Sequence, residues 1–247
     1  MIAIDRDDAV ATITVDDCTA LTRHDLAVGS ALRDAVRDNA NDDTVKAIVI
    51  RATGADFCAP AAPADLAAAA RRQINPLRPD WHAAYAAPTG LYQSLVYCRK
   101  VVITAVQGRC AGAGSMLVLC SDFTLATPES RFESPFGALP EANLVLTMLT
   151  MRLNRAKYWL LGDALDAAAA REAGLINAIL PRSQLDAEAL RLARAAARMP
   201  RDGLAMSKIQ VETCLDAQGV GRDFDMAGFN ALALARHWDT VAAESKP

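Results

Sequence analysis

The stretch that decides the fold is residues 101–122, VVITAVQGRCAGAGSMLVLCSD. Its apolar run at 101–106 is typical of a buried strand, and the apolar residues after Gly114 indicate a helix that packs on a sheet. Glycines at 108, 112 and 114 let a ligand or another segment approach the backbone closely. The start of the helix presents unpaired N–H groups and favours negative charge. The glycines alone leave two interpretations open: an anion or oxyanion site, or close packing of the helix on the sheet.

The spacing of these glycines excludes two common nucleotide-binding motifs. A dinucleotide-binding turn requires GxGxxG and an acidic residue at a set distance on a second strand, and the sequence has neither. A P-loop requires Gly-Lys-Ser or Gly-Lys-Thr, which is also missing. The turn is therefore not interpreted as a nucleotide site.

Outward from this turn, the first half of the chain alternates predicted strands and helices, which is typical of an α/β fold. Thr22 with Asp25 three residues later resembles a capping signal for the first of these helices. After about Asn143 the pattern becomes mostly helical. The predicted strands are Val10–Val15, Val45–Arg51, Val101–Gln107, Phe123–Ala126 and a short run at Ile176–Leu180. The predicted helices include Asp25–Arg37, Thr89–Tyr97, Asp202–Ala217 and Asp223–Trp238.

Composition limits the classes of function. Hydrophobic residues make up 52% of the 247 residues against 22% charged residues, which predicts one folding unit with a sizeable core. A net charge of −3 argues against nucleic-acid and anionic-membrane partners, since these require a clustered basic face. Arg99-Lys100 stays open as a local anion contact or as a solvated helix end.

The same data predict compartment and cofactor use. The N-terminus has acidic residues where a signal peptide would be basic, and no apolar run is long enough to span a bilayer. The six cysteines form no CxxC pair and have no histidines at metal-ligand spacing. We therefore expect a cytoplasmic protein with reduced thiols and no metal.

Three segments resemble the crotonase superfamily, the enoyl-CoA hydratase/isomerase proteins. Residues 100–132 are similar to its strand, Gly-rich turn, helix and Cys-Asp pair. Residues 45–59 resemble its strand, Thr-Gly turn and Phe-Cys-Ala loop, and residues 155–181 supply the third match. The segments occur in the order of the family, over roughly residues 8 to 200.

The resemblance implies a crotonase-like spiral of ββα units. A core domain is expected at residues 1–195, followed at 196–247 by a C-terminal helical region that drives oligomerisation. The implied partner is an acyl-CoA thioester, so that coenzyme A is part of the substrate and no separate cofactor is expected. The implied assembly is a homotrimer or a dimer of trimers.

The resemblance also implies two backbone N–H groups directed at the thioester oxygen, which map onto Ala61 and Ala113. Losing one such donor typically costs about 3 kcal/mol of transition-state stabilisation. In the first loop, Pro60 and Ala62 stand where the family has glycine and aspartate. The positions implied to bind substrate are Ala59, Gly112, Met116 and Phe136.

Acid and base residues depart from the hydratase pattern. The two glutamates that a hydratase of this family uses map onto Met116 and Phe136, and neither side chain can transfer a proton. Pro140-Glu141 resembles the Pro-Glu pair of the isomerase branch, in which one carboxylate shuttles a proton. Glu141 can equally be interpreted as a first-turn helix residue favoured by the helix dipole. Glu133 is a weaker candidate.

Two functions stay open. The first is an acyl-CoA-processing enzyme that forms a thioester enolate, by isomerase-type or other enolate chemistry. The second is a catalytically degenerate subunit that binds CoA esters or serves in assembly. His24, His82 and His237 are expected to be structural or exposed, and the segment 75–90 around His82 is a candidate wall of the acyl pocket.

Overall fold

The computed structural model describes residues 2–73 and 90–227 and the single positions 230 and 240. Within these ranges the strands are β1 (Ile2–Asp7), β2 (Val10–Val15), β3 (Ala47–Ala52), β4 (Val101–Val106), β5 (Arg109–Cys110), β6 (Phe123–Ala126), β7 (Arg131–Phe132), β8 (Leu165–Asp166) and β9 (Ala178–Ile179). The larger sheet has the order β1-β2-β3-β4-β6-β9, and the smaller has the order β5-β7-β8. In the larger sheet, β1 and β2 are antiparallel and every later pair is parallel.

Helices connect the parallel strands and form the C-terminal part of the chain. They are α1 (Thr19–Thr22), α2 (Leu26–Asn41), α3 (Pro63–Gln73), α4 (described over 90–96), α5 (Ala113–Leu119), α6 (Leu144–Thr150), α7 (Leu153–Leu160), α8 (Ala167–Ala173), α9 (Arg182–Ala197), α10 (Arg201–Ala217) and α11 (Val220–Asp225). None of these described helices has the length and apolar character needed to cross a membrane.

The strand predictions hold where β-branched residues alternate or run together. β2 and β6 have the bounds predicted for them, and β3 begins two residues later than predicted, at Ala47. The sequence 101–122 forms strand, turn and helix in the predicted order. Of the predicted last helix, α11 occupies the first part, and most of the remainder lies outside the described residues.

The first long helix is capped by a different residue from the one predicted. The Asp25 carboxylate accepts hydrogen bonds from the N–H groups of Ala27 and Val28 at 3.0 and 3.2 Å, so Asp25 is the N-cap of α2. Thr22 instead ends α1. The helix also continues to Asn41, beyond the predicted end at Arg37.

The core lies on both sides of the central strands β3 and β4. Ile48, Ile50 and Val102 pack in the same cluster as α2, whereas Val49 and Ile103 pack in the cluster that contains α9. The alternation follows from the two-residue period of a strand. Both faces of the parallel sheet are thereby covered by helices, as its hydrophobic strands require.

Close packing at residues 112–114 joins α5 to α1 and to the loop after β3. Gly112 has a φ of +50°, and a Cβ built on it would lie 2.6 Å from Thr22 Cγ2. A Cβ on Gly114 would lie 2.4 Å from Cys58 Cβ, well inside normal carbon–carbon contact. Close packing therefore explains both glycines, although the partners are α1 and the loop after β3 rather than the predicted sheet.

We expect Gly114→Ala to lower the free energy of unfolding by about 1–3 kcal/mol, because the added methyl group overpacks the contact with Cys58. Gly29→Ala is the matched control, since a Cβ at this position of α2 meets no atom within 4 Å. The control should raise the free energy of unfolding by about 0.5–1 kcal/mol. Urea denaturation measures the free energy of unfolding of both variants. Equal stability of Gly114→Ala and wild type would contradict the close packing of Gly114 against Cys58.

Candidate active site

The short helix α1 connects the two segments that carry the predicted oxyanion donors. Thr19 Oγ1 donates a hydrogen bond at 2.9 Å to the carbonyl of Ala59, in the loop that leads to Ala61. Thr22 Oγ1 accepts a hydrogen bond at 3.0 Å from the N–H of Ala113. α1 therefore holds both predicted donor segments in place.

The N–H of Ala113 is directed at a protein group in this structure. Ala113 is buried, Thr22 is buried beside it, and the threonine hydroxyl occupies the acceptor position of the amide. A thioester oxygen can take this hydrogen bond only when the Thr22 hydroxyl gives way. The role of Ala113 as an oxyanion donor stays a prediction.

Ala61 differs from Ala113 because its N–H forms no hydrogen bond with a described residue. It lies half-buried in the loop between β3 and α3. Pro63 begins α3, where a missing N–H has no cost. The loop thus leads into a helix without using the Ala61 amide.

The residues predicted to stand at the positions of the hydratase glutamates are apolar and packed. Met116 is fully buried within the main core cluster, and Phe136 is partly buried against it. Gly112 is buried by its contact with Thr22, whereas Ala59 is partly exposed in its loop. Neither the Met116 nor the Phe136 side chain can transfer a proton.

Glu141 is the buried carboxyl of this region. It is 2% exposed, and its Oε2 has no hydrogen-bond partner among the described residues. Burial raises the pKa of Glu141 to about 7 from an ordinary value of 4.5. Burial first, and then the charge of Glu141, raise the pKa of Tyr92 well above its usual range, which places that phenol in the electrostatic environment of the carboxyl.

The position of Glu141 is not explained by helix capping. α6 begins at Leu144, and its N-cap is Asn143, whose side chain accepts a hydrogen bond from the N–H of Leu146 at 2.8 Å. Glu141 lies before this cap, so the interpretation of Glu141 as a first-turn helix residue is wrong. A carboxyl buried without that benefit is a candidate functional group.

His24 lies next to Glu141, which the sequence did not predict. The distance from His24 Nδ1 to Glu141 Oε1 is 4.0 Å, and the imidazole is 6% exposed. The backbone of His24 has a φ of +55°, which is costly for a residue with a side chain. His24 also lines a cavity of about 560 Å³ between the α1–α2 turn and α3. The histidine was expected to be structural or exposed, and neither its neighbours in the sequence nor its spacing signals this contact.

The other candidate groups do not join this cluster or cannot be placed. Glu133 forms an ion pair with Arg109 at 3.3 Å, with both side chains partly exposed, so its carboxylate is engaged at the surface. His82 and His237 lie outside the described residues, as does most of the segment 75–90 proposed to line an acyl pocket.

Comparison with known proteins supports the fold. The structure is similar to a crystal structure of a probable enoyl-CoA hydratase from Mycobacterium thermoresistibile, with a TM-score of 0.80 and 26% identity over 98% of this chain and 97% of that chain. The predicted crotonase-like α/β fold is therefore confirmed.

Two curated relatives illustrate the range of named activities. This chain is 28% identical over 244 residues to the 1,2-epoxyphenylacetyl-CoA isomerase of Escherichia coli K12, covering 90% of this chain and 88% of the relative. It is 30% identical over 200 residues to (7aS)-7a-methyl-1,5-dioxo-2,3,5,6,7,7a-hexahydro-1H-indene-carboxyl-CoA hydrolase of Mycobacterium tuberculosis H37Rv, covering 79% and 77%.

The family model for enoyl-CoA hydratase/isomerase matches residues 5–232, nearly the whole chain. The match includes the turn at 112–114, the loop at 57–61 and Glu141. The protein therefore belongs to the enoyl-CoA hydratase/isomerase family.

Proposed function

We propose that this protein moves a proton between carbon atoms of an acyl-CoA thioester, with Glu141 as the base. The observation that carries the proposal is a buried carboxyl whose pKa is raised to about 7 and whose Oε2 has no partner among the described residues. A base with a pKa near the working pH combines a sufficient ionised fraction with the strength to take a proton.

The reaction needs one carboxylate. Glu141 takes a proton from the carbon next to the thioester carbonyl of a 3-enoyl ester, the C–H electron pair passes into a dienolate, and negative charge develops on the thioester oxygen. The same carboxyl returns the proton to a different carbon, so the double bond moves and no atom is gained or lost. The Ala61 N–H, and the Ala113 N–H once Thr22 releases it, would stabilise the oxygen.

Standard two-glutamate hydration is not supported by the side chains. Met116 and Phe136 cannot activate water or donate a proton, and both pack against the apolar core. A relative named as an isomerase and another named as a CoA hydrolase agree with enolate or acyl chemistry in this family outside simple hydration.

His24 fits the role of a positioning residue for Glu141. A hydrogen bond from the imidazole to Oε1 would fix the carboxyl and leave Oε2 to exchange a proton with substrate. The separation of 4.0 Å is longer than a hydrogen bond, so the imidazole must approach the carboxyl for this bond to form. A positive φ at a non-glycine residue is a strain that a functional constraint can retain.

The second candidate function is binding of CoA esters without turnover. It is favoured by one specific observation, the hydrogen bond from Ala113 to Thr22, which occupies one of the two predicted oxyanion donors. Measuring both the melting temperature and the consumption of acyl-CoA separates the two functions. A non-catalytic subunit would gain melting temperature with acyl-CoA while leaving the ester unchanged.

Glu141→Gln should strongly slow double-bond migration. With 2-enoyl- and 3-enoyl-CoA esters followed by ultraviolet absorbance and mass, we expect kcat to fall by about 100-fold or more, because a general base contributes about 10²–10⁴-fold. Glu133→Gln is the matched control and should stay near wild-type activity. Binding by wild type with no conversion in the whole panel would support the non-catalytic function, and robust hydration would overturn the assignment of Met116 and Phe136.

Glu141 should also make stability depend on pH. Its folded pKa of about 7 lies above its ordinary value of 4.5, so the folded protein binds the proton more tightly than the unfolded chain does. The stabilisation is complete below pH 4.5 and is lost as pH rises through 7, by about 3 kcal/mol at most. Unfolding free energies of wild type and Glu141→Gln at pH 5 and pH 8 measure it. If the unfolding free energies of the two proteins change equally between pH 5 and pH 8, Glu141 is not the source of the pH dependence.

His24→Gly tests the positioning role without straining the backbone, because glycine tolerates a φ of +55°. We expect kcat to fall about 10-fold to 100-fold with KM little changed. Added imidazole should restore part of kcat through the space left beside the cavity, whereas sodium chloride at the same ionic strength should not. A loss of activity that imidazole never restores, in a protein with unchanged melting temperature, would contradict the role of His24 and leave that of Glu141 intact.

A further inference from the structure

A second cavity, of about 620 Å³, lies at the amino ends of β3 and β4. Its walls come from α2, α4, the two segments that precede these strands, and the start of α10. Lys100 directly precedes β4, whereas the turn at 112–114 follows the other end of that strand. A six-residue strand spans about 20 Å. The cavity and the turn at 112–114 of the candidate active site therefore lie at opposite edges of the sheet, at the two ends of β4.

The cavity has an excess of positive charge. Of the two carboxylates that line it, Asp43 is already paired with Arg201, and Asp202 is exposed. In the described ranges, no carboxylate forms an ion pair with any of the other four basic residues. The five basic residues that line the cavity are Arg37, Lys46, Arg99, Lys100 and Arg201.

Lys100 is the most unusual of these cations because it is buried. It is 8% exposed, and its Nζ donates to the carbonyl of Asp42 at 3.1 Å. Burial, and next the charge of Arg201, lower the pKa of Lys100. Desolvation of a cation beside another cation is unfavourable, and an anion in the cavity would offset it.

Interactions with helix C-termini explain only part of the clustering of lysines at this cavity. Lys100 contacts the C-cap of α2, and Lys46 Nζ donates at 3.0 Å to the carbonyl of Ala197, the last residue of α9. Lysine at a helix C-terminus is favourable. Each ammonium group nevertheless has three N–H donors, and one bond to a carbonyl neither uses them all nor neutralises the charge.

We propose that this cavity binds a small phosphate-bearing anion. Two further features fit this ligand class: exposed Arg99 and Arg37 can approach phosphate oxygens, and the 17-residue helix α10 begins at the cavity with the positive end of its dipole. A volume of about 620 Å³ accommodates more than a single phosphate. The site does not depend on the proposed chemistry at Glu141.

The test is calorimetric titration of the full-length protein with inorganic pyrophosphate in a chloride buffer of constant ionic strength. We expect one-to-one binding by wild type and about a tenfold loss of affinity in Lys100→Gln, since a hydrogen bond to a charged group is typically worth that much or more. Arg99→Gln should show a loss of the same order, and because Arg99 is exposed this variant remains informative where Lys100→Gln does not fold. Lys157→Gln, which removes an exposed charge on α7, is the matched control and should bind like wild type.

Absence of pyrophosphate binding by wild type overturns the proposal, and so does an equal loss of affinity in Lys157→Gln. Free coenzyme A distinguishes the sources of phosphate. Because the cavity and the candidate active site lie at opposite edges of the sheet, we expect coenzyme A to leave pyrophosphate bound, which assigns the cavity to a separate phosphorylated ligand. If coenzyme A displaces pyrophosphate, the cavity still binds phosphate, but its ligand is the phosphate groups of the acyl-CoA thioester.

Discussion

The contact between α1 and the turn at 112–114 is the constraint on which the site depends. Gly112 has no room for a side chain because Thr22 fills that space, and the Thr22 hydroxyl accepts the hydrogen bond of Ala113. The same helix holds the loop at 57–61 through Thr19. A short helix near the N-terminus thus sets the relative positions of two segments that are distant in the sequence, and the turn after it brings His24 to Glu141.

This tertiary contact also explains where sequence analysis succeeded and where it failed. The strand, turn and helix at 101–122 are specified by local apolar pattern, so they were predictable. The cap of α2 was not, because Thr22 and Asp25 are both good capping residues and only the structure shows that the Thr22 hydroxyl is engaged by Ala113. The approach of His24 to Glu141 depends on a positive φ and on long-range packing, which no local pattern encodes.

The buried pair of Glu141 and His24 is costly for folding. A carboxyl inside the core favours its neutral form, and an imidazole held in a left-handed backbone conformation adds strain. An apolar residue at position 141 would avoid the cost of burying a carboxyl, and glycine at position 24 would avoid the backbone strain. The proposed single-carboxylate reaction needs a buried acid–base group at Glu141, and this requirement would account for the retention of these costly groups.

The occupied amide of Ala113 is compatible with catalysis on energetic grounds. A neutral thioester carbonyl gains little by replacing the Thr22 hydroxyl, since one neutral hydrogen bond is exchanged for another. An enolate oxygen carries charge, and hydrogen bonds to charged groups are about twice as strong as those between neutral groups. In the proposed reaction the Ala113 donor would therefore be recruited as charge develops, so that its contribution falls on the transition state rather than on substrate binding.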